Sequence, residues 1–225
     1  MGKEITMKKA VIFDMDGVLS DSEWIYVDKI LEVLREEDVC IDAEKINDLF
    51  GQSMIFLCEE LKNRYQLKKS ASCYAERIHA LRDRYIKEHG LFPMEGAVSL
   101  LKKLHEMGIP VAVASSAPVE TIRSNMERFG MNSYIDHMVS GLSCKRGKPD
   151  PEIYRKAAFL LKTDPAQCVV IEDSANGVAA AKAAGMYCIA FIPEKAVAQD
   201  LSKADEILTT FVGLEPDRIL SLKRP

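Results

Sequence analysis

Two aspartates stand at the end of an apolar run near the start of the chain. The run from Ala10 to Phe13 is followed at once by Asp14, and Asp16 and Gly17 come two and three residues later. An apolar run bounded by turn residues is typical of a buried strand, so Asp14 is expected where a core strand meets solvent. Positions i and i+2 of an extended segment lie on the same side. One carboxylate that attacks and a second that carries a proton are what covalent acid–base chemistry requires.

Two serines end the next apolar run. Ser115 and Ser116 follow residues 110–114, which are predicted to form a second buried strand. Hydroxyl and backbone N–H groups at a junction between a strand and a helix are suited to hold phosphate oxygens. The pair also fits the capping of the helix expected after Pro118, and taken alone that explanation is the better one.

A lysine lies in a segment with little conformational freedom. Lys148 stands between Gly147 and Pro149, and Asp150 is the expected N-cap of a helix over 151–161. A lone lysine is ordinarily a solvated surface charge. One that is held in place can instead balance the negative charge of a nucleophile and a phosphate group together.

Two adjacent acids follow a third apolar run. Glu172 and Asp173 come directly after residues 168–171, and like charges so close together repel strongly where water is scarce. A magnesium ion removes that difficulty, because it prefers oxygen ligands and combines carboxylates with substrate phosphate and water. Either acid singly is also explained by the dipole of the helix predicted at 178–184, but the pair is explained less readily.

The chain changes character at about residue 90. Residues 21–88 are predicted to be wholly helical, with a first helix capped by Ser22 or Asp21 and further helices over 53–65 and 71–87. After residue 93, strands and helices alternate, which is typical of a parallel sheet covered on both faces. The predicted helices there are 97–107, 119–129, 151–161 and 178–184, and the predicted strands are 110–114, 137–140, 168–171 and 187–192.

The helical block is therefore predicted to be an insertion after the first strand of an α/β domain. The expected domains are a discontinuous core of residues 1–19 and 93–225 and a helical domain of residues 20–92. Ligands of open parallel sheets bind beyond the carboxyl ends of the strands, where all four polar groups are expected to meet. An insertion that leaves from that edge would cover the site like a lid, with hinges near 19–22 and 88–93.

Composition excludes several classes of partner. The chain has 225 residues, 48% of them hydrophobic, and a formal net charge of −4. This mild acidity gives no basic surface for nucleic acid or an anionic membrane, and no apolar stretch approaches the roughly 20 residues of a membrane span. The six cysteines are scattered, which favours a reduced, cytoplasmic setting, with Cys168 and Cys188 as small core residues. We expect a monomer or weak dimer.

Taken together, these motifs resemble those of the haloacid dehalogenase superfamily. Asp14-x-Asp16, Ser115, Lys148 and the Glu172-Asp173 pair look like its four motifs in order. The resemblance covers nearly the whole chain, and it is greatest to the phosphatase and phosphomutase branch with a helical cap. It implies a Rossmann-like three-layer α/β core, a cap near residues 20–92, and magnesium-dependent phosphoryl transfer on a small phosphate ester.

The resemblance also implies a role for each motif residue. Asp14 is similar to the nucleophile that forms an aspartyl-phosphate, and Asp16 to the acid/base. Ser115, Ser116 and Lys148 would hold the phosphate. Asp14 and Asp173 would bind Mg²⁺ by their side chains and Asp16 by its backbone carbonyl, while Glu172 would touch the ion or lie just behind its ligands. Members that act as dehalogenases lack the second aspartate, so its presence argues against that reaction.

A β-phosphoglucomutase-type reaction is the main alternative to hydrolysis. The mutases carry an arginine after Gly-x-Ser in the cap, a Ser-Lys-Asn after the second motif and a cap histidine. Here Met54, Ala117 and Tyr26 stand in the corresponding places. Because a second phosphate would then lack its partners, hydrolysis of a monophosphate, such as a sugar or polyol phosphate, is favoured.

Substrate contacts from the cap are less well defined. Glu23, Gln52 and Ser53 lie near the turns where the helical block begins and are candidates for contacts with sugar hydroxyls, although surface or packing roles explain them equally well. A regulator that only binds a phosphorylated metabolite is a further alternative. It has no use for a nucleophile together with a proton shuttle, so the sequence favours an enzyme.

Overall fold

A six-stranded parallel sheet forms the centre of the protein. The computed structural model describes residues 8–49, 53–193, 196 and 199–221. The strands lie side by side in the order β3-β2-β1-β4-β5-β6, and every pair is parallel. This arrangement confirms the predicted Rossmann-like α/β class. The strands are β1 (Ala10–Phe13), β2 (Val111–Ser115), β3 (His137–Ser140), β4 (Cys168–Glu172), β5 (Tyr187–Phe191) and β6 (Glu206–Leu208).

Helices cover both faces of this sheet, and three more follow β1. Those three are α1 (Glu23–Glu36), α2 (Met54–Tyr65) and α3 (Ala71–His89), and we call residues 23–89 the helical segment. The other α-helices are α4 (Ala97–Glu106), α5 (Val119–Arg128), α6 (Glu152–Leu160), α7 (Ala175–Ala183) and α8 (Pro216–Leu220). Short 3₁₀ turns cover Ala43–Leu49, Asn132–Tyr134, Gly141–Ser143 and Pro165–Gln167.

Alternate residues of the strands supply two separate cores. Val11 and Phe13 of β1 pack in one cluster with residues of α4 and α5, whereas Ala10 and Ile12 pack on the opposite face with residues of α6 and α7. Every residue of β1, β2 and β4 is buried, as expected for strands with helices on both faces.

The helical segment has an apolar cluster of its own. Buried side chains from Val27 to Leu81 pack together, and α3 contacts both α1 and α2. Burial of an amphipathic face, more than helix propensity, stabilises helices of this length.

The two connections of the helical segment to the sheet domain lie against each other. Ser20 and Pro93 form an isolated antiparallel bridge. The N–H of Asp21 donates to the carbonyl of Phe92 at 3.1 Å, and the N–H of Met94 donates to that of Leu19 at 2.9 Å. The chain therefore leaves and rejoins the sheet domain at one point.

Some local predictions were wrong. Ser22 occupies the N-cap position of α1, but its hydroxyl makes no capping hydrogen bond. Pro151, not Asp150, is the N-cap of α6, and the Asp150 carboxylate accepts from the N–H of Glu152 at 3.0 Å. Helix α7 begins at Ala175, three residues before its predicted start, because Ser174 caps it by accepting from the N–H of Gly177.

The predicted small core cysteines are buried as expected. Cys168 and Cys188 lie within β4 and β5, and none of the six cysteines, all of them in the described residues, forms a disulfide. Within the described ranges, no helix has the length and apolar character needed to span a membrane.

Candidate active site

The carboxyl edge of the sheet brings the four sequence motifs to one place. Phe13 of β1 is paired with Val113 of β2 on one side and with Ile171 of β4 on the other. The residues that follow these positions, among them Asp14, Ser115 and Glu172, consequently lie at the same edge.

Lys148 joins two of these motifs directly. Its Nζ lies 2.5 Å from Oδ1 of Asp14 and 2.5 Å from Oε1 of Glu172, and the side chain is 2% exposed. Nζ also donates to the carbonyl of Ala114 at 3.4 Å. The predicted proximity of Lys148 to the nucleophile candidate is therefore present in the structure.

Glu172 is held from several sides. Oε1 accepts from the hydroxyl of Tyr154 at 2.9 Å, and Oε2 accepts from the N–H and the hydroxyl of Ser174 at 2.8 and 2.9 Å. Although burial alone would raise its pKa, the Lys148 charge and these hydrogen bonds lower the pKa of Glu172. Burial opposes the charge of Lys148, but Asp14 and Glu172 raise its pKa above the usual value. The two side chains form a buried ion pair.

Three carboxylates are close enough to share a cation. One oxygen from each of Asp14, Glu172 and Asp173 lies within 4.8 Å of the other two, and all three residues are buried. Among the described residues, Oδ2 of Asp173 is buried without a hydrogen-bond partner. Such an orphaned oxygen is costly unless an ion or water satisfies it. An all-oxygen site of this kind fits magnesium.

The pKa values of these acids reflect the crowding. Burial raises the pKa of Asp14 to about 8 despite the nearby Lys148, and burial together with the Glu23 and Glu172 charges raises that of Asp173 well above its usual range. Protons or a dication are therefore needed to compensate these charges.

Gly17 leaves the room that Asp173 occupies. Its φ is +80°, which side chains rarely adopt, and a Cβ on Gly17 would lie 1.7 Å from Oδ2 of Asp173. The glycine after the Asp-x-Asp pair thus allows the first and fourth motifs to approach each other.

Asp16 is held by a residue that sequence reasoning treated only as a helix cap. The hydroxyl of Ser22 donates to Oδ1 of Asp16 at 2.5 Å, and Ser22 is fully buried. Asp16 itself is half-buried. Its carboxylate is not one of the three clustered carboxylates described above, which agrees with a separate role.

The two serines of the second motif differ in exposure. Ser115 is buried, and its Oγ accepts from the N–H of Ala117 at 3.1 Å; Ser116 is half-buried. The hydroxyl of Ser140, at the end of β3, donates to the carbonyl of Ala117 at 2.6 Å and so holds this turn against its neighbour.

One of the three predicted cap contacts reaches the cluster. The Glu23 carboxyl lies beside Asp173, and shielding from solvent, together with the neighbouring Glu172 and Asp16 charges, raises its pKa to about 7. Ser53 is instead the N-cap of α2, where its Oγ accepts from the N–H of Phe56 at 3.3 Å. Gln52 lies outside the described residues.

Gln199 joins the site without any signal in the sequence. Its Oε1 accepts from the N–H of Ala175 at 3.0 Å, and its Nε2 lies 3.5 Å from Oε1 of Glu23 and from the carbonyl of Asp173. The residue lies in a loop after β5 with no motif around it, so only the three-dimensional arrangement shows the link to Glu23.

A family comparison identifies this arrangement. The profile of the haloacid dehalogenase-like hydrolases matches residues 11–191, which include all four motifs. The chain belongs to this family. The resemblance inferred from the motifs is therefore confirmed.

Individual relatives of this haloacid dehalogenase-like hydrolase are phosphatases by name. It is 34% identical over 182 residues to the "Phosphorylated carbohydrates phosphatase" of Thermotoga maritima, covering 79% of this chain and 82% of that protein. It is 32% identical over 184 residues to "Hexitol phosphatase B" of Escherichia coli, covering 80% and 82%. Family, motifs and relatives together make the chain a phosphoric monoester hydrolase.

Comparison with a solved structure supports the fold. The crystal structure of a beta-phosphoglucomutase from Clostridium difficile superimposes with a TM-score of 0.78 and covers 95% of this chain and 96% of that one. At 24% identity, this likeness concerns the fold alone.

Proposed function

We propose that this hydrolase is a magnesium-dependent phosphatase that removes the phosphate from a small sugar or polyol phosphate through an aspartyl-phosphate on Asp14. One observation carries the proposal: the Asp14 carboxylate lies 2.5 Å from Lys148 at the carboxyl edge of the sheet, while Asp16 is held on the same loop by Ser22. A nucleophile, a fixed cation and a separate acid are the parts that such a reaction requires.

In the first step, a carboxylate oxygen of Asp14 attacks phosphorus in line with the leaving alcohol. Asp16 gives its proton to the oxygen of that alcohol, so that the alcohol does not leave as an alkoxide. Lys148 and the serines of the second motif bind phosphoryl oxygens. In the second step, Asp16 takes a proton from a water molecule whose oxygen attacks phosphorus. The bond between phosphorus and the Asp14 oxygen breaks, so that inorganic phosphate leaves and Asp14 is again a free carboxylate.

Asp14, Asp173 and the backbone carbonyl of Asp16 would hold the magnesium ion, with Glu172 in contact or directly behind. When bound, the ion supplies positive charge to the phosphoryl oxygens and lessens the repulsion between the acids around it. The orphaned Oδ2 of Asp173 supports this assignment.

The helical segment acts as the lid in this proposal, with residues 20–92 as a cap on a core of 1–19 and 93–225. Its paired connections at residues 19–22 and 92–94 and its separate apolar cluster favour movement as one body. Closure would exclude bulk water until the alcohol has left.

The substrate class is supported by the relatives and by Glu23. The Thermotoga and Escherichia proteins are named for phosphorylated carbohydrates and hexitols. Glu23 lies beside Asp173 and can accept hydrogen bonds from the hydroxyls of a bound sugar or polyol. Ser53 and Gln52 stay predictions as substrate contacts.

An assay of phosphate release tests the proposed function. With p-nitrophenyl phosphate we expect turnover that depends on Mg²⁺ and stops with EDTA. A panel of sugar, polyol and nucleoside monophosphates should then show the highest kcat/KM among the first two groups. No turnover of any ester with magnesium present would contradict the proposal and favour a binding protein.

A single substitution should not convert the enzyme into a mutase. Met54 occupies the place of the mutase arginine, but Ala117 and Tyr26 would still leave the second phosphate without partners. We expect Met54→Arg to keep the phosphatase activity within about threefold and to show no isomerisation of hexose phosphates primed by a bisphosphate. Isomerisation by this variant or by the wild type, followed by NMR, would favour the mutase.

Without magnesium, the protein should lose stability as the pH rises from about 5 to about 8. The folded-state pKa is raised to about 8 for Asp14 and about 7 for Glu23, so the folded protein holds protons that the unfolded chain releases at lower pH. Stability therefore falls with rising pH across this window. Because Mg²⁺ displaces those protons, its gain in Tm should be larger at about pH 8 than at about pH 6.

Thermal unfolding with EDTA or with excess magnesium measures this effect. A metal-free Tm that rises between about pH 6 and about pH 8, or a magnesium gain that is larger at the lower pH, would contradict the pKa shifts of the cluster.

A further inference from the structure

The Glu172 carboxylate has its hydrogen-bonding capacity filled by the protein. Oε1 accepts from Lys148 and Tyr154, and Oε2 accepts twice from Ser174. A carboxylate offers about four lone-pair sites, so these four bonds occupy them. The residue is also 0% exposed.

The position of this carboxylate is fixed by packing as well. A Cβ on Gly177 would lie 1.7 Å from Oε1 of Glu172, so the first turn of α7 lies directly against the carboxylate. Asp173 shows the opposite condition, because its Oδ2 has no partner among the described residues. Of the two adjacent acids, Asp173 has a free oxygen for a cation and Glu172 has none.

Three of these four bonds come from Lys148, a motif residue, and from Ser174, the N-cap of α7. The fourth comes from Tyr154, which lies in none of the motifs. It lies in α6, fully buried, with its ring 5.1 Å from Nζ of Lys148 and its hydroxyl 2.9 Å from Oε1 of Glu172. In the sequence it is an ordinary apolar-face residue of a predicted helix. Its hydroxyl, however, meets the same oxygen that Lys148 meets.

We propose that Tyr154 is a positioning residue: its hydroxyl holds Oε1 of Glu172 on Lys148, so that Glu172 serves as the counter-ion of the lysine and not as a ligand of the dication. This inference rests on the proposed phosphatase function. It has a consequence for the reaction, because Asp14 loses its negative charge while it is esterified. Glu172 then keeps Lys148 in place beside the phosphate.

Calorimetric titration with Mg²⁺ alone tests the place of Glu172. We expect Tyr154→Phe and Glu172→Gln to bind Mg²⁺ within about threefold of the wild type, and Asp173→Asn to bind at least about tenfold more weakly. Equal losses in Glu172→Gln and Asp173→Asn would overturn the proposal, since Glu172 would then be a ligand.

Kinetics test the role of the hydroxyl. Tyr154→Phe should lower kcat about three- to tenfold with KM within about twofold, as for the loss of one ordinary hydrogen bond that acts on the reaction only through a neighbouring side chain. In a Glu172→Gln background the same change should have less than about a twofold effect. If Tyr154→Phe lowers kcat as much in the Glu172→Gln background as in the wild type, or if Tyr154→Phe alone leaves kcat unchanged, the proposal is overturned.

Tyr187→Phe is the matched control, because it removes the hydroxyl of another tyrosine, 3.5 Å from Glu206 on β6. It should leave kcat unchanged. If Glu172→Gln does not fold, kcat and Mg²⁺ affinity of Tyr154→Phe are compared with those of this control. A lower kcat with unchanged Mg²⁺ affinity in Tyr154→Phe alone supports the positioning role, and an equal kcat in the two variants overturns it. If the wild type binds Mg²⁺ but hydrolyses no ester, the proposed function fails, while the titrations still decide whether Glu172 is a ligand.

Discussion

Replacing Asp14 with asparagine is expected to lower kcat by at least about 1,000-fold. The neutral amide cannot form the aspartyl-phosphate, and the other carboxylate beside Lys148, that of Glu172, is fully buried and already accepts four hydrogen bonds. Steady-state assays with an aryl and an alkyl phosphate measure the loss. Mass spectrometry after rapid quenching should detect a phosphorylated intermediate in the wild type and none in Asp14→Asn.

The fold of this variant should remain intact. The substitution removes a buried carboxylate whose pKa is raised to about 8, and Lys148 keeps its contact with Glu172. At about pH 8 without metal, its Tm should therefore equal or exceed that of the wild type. Asp42→Asn, at an exposed aspartate of the helical segment, is the control and should keep full activity. Wild-type turnover by Asp14→Asn would contradict its role as the nucleophile.

Replacing Asp16 with asparagine is expected to slow hydrolysis of alkyl phosphates about 100-fold or more, because an alkoxide is a poor leaving group without a proton donor. Formation of the aspartyl-phosphate from p-nitrophenyl phosphate should be affected far less, since that leaving group needs little protonation. Stopped-flow absorbance should then show a burst of nitrophenol close to one equivalent of enzyme, followed by slow turnover.

A second variant, which removes the contact between Ser22 and Asp16, tests the same role of Asp16. Ser22→Ala keeps the acid but removes the hydroxyl that donates to Asp16 at 2.5 Å, so a smaller loss on alkyl esters is expected. Equal losses of burst rate and alkyl hydrolysis in Asp16→Asn would contradict a role for Asp16 in protonating the leaving group.

The meeting of the four motifs at one edge of the sheet was predictable, because it depends on the arrangement of whole strands. Apolar runs before Asp14, Ser115 and Glu172 marked buried parallel strands, and their carboxyl ends necessarily meet at one edge of the sheet. Lys148 was predictable because its neighbours restrict the chain. The parallel sheet was predictable from the alternation of strands and helices after residue 93, whereas the order of its strands was not predicted.

Contacts made by single side chains were not predictable in the same way. Ser22 has the same local pattern whether it caps α1 or donates to Asp16. Tyr154 looks like any apolar residue of a helix, and Gln199 lies in a loop without a motif. The short strand β6 was missed, because its three partly exposed residues are too few to form a recognisable apolar run. Each of these features depends on which residue, distant in the sequence, lies opposite in the folded protein. A pattern along the chain does not contain that information.

The paired connections at Ser20 and Pro93 also bear on how such enzymes diversify. Because the inserted helices leave and return at one hydrogen-bonded junction and fill an interior of their own, an exchange of residues 23–89 between homologues would alter the sheet domain mainly where Ile25 and Ile86 pack into its core. Selectivity for the alcohol portion of a substrate can thus change independently of bond cleavage. Grafting the corresponding residues of the relative named "Hexitol phosphatase B" onto this chain is a direct way to redirect that selectivity.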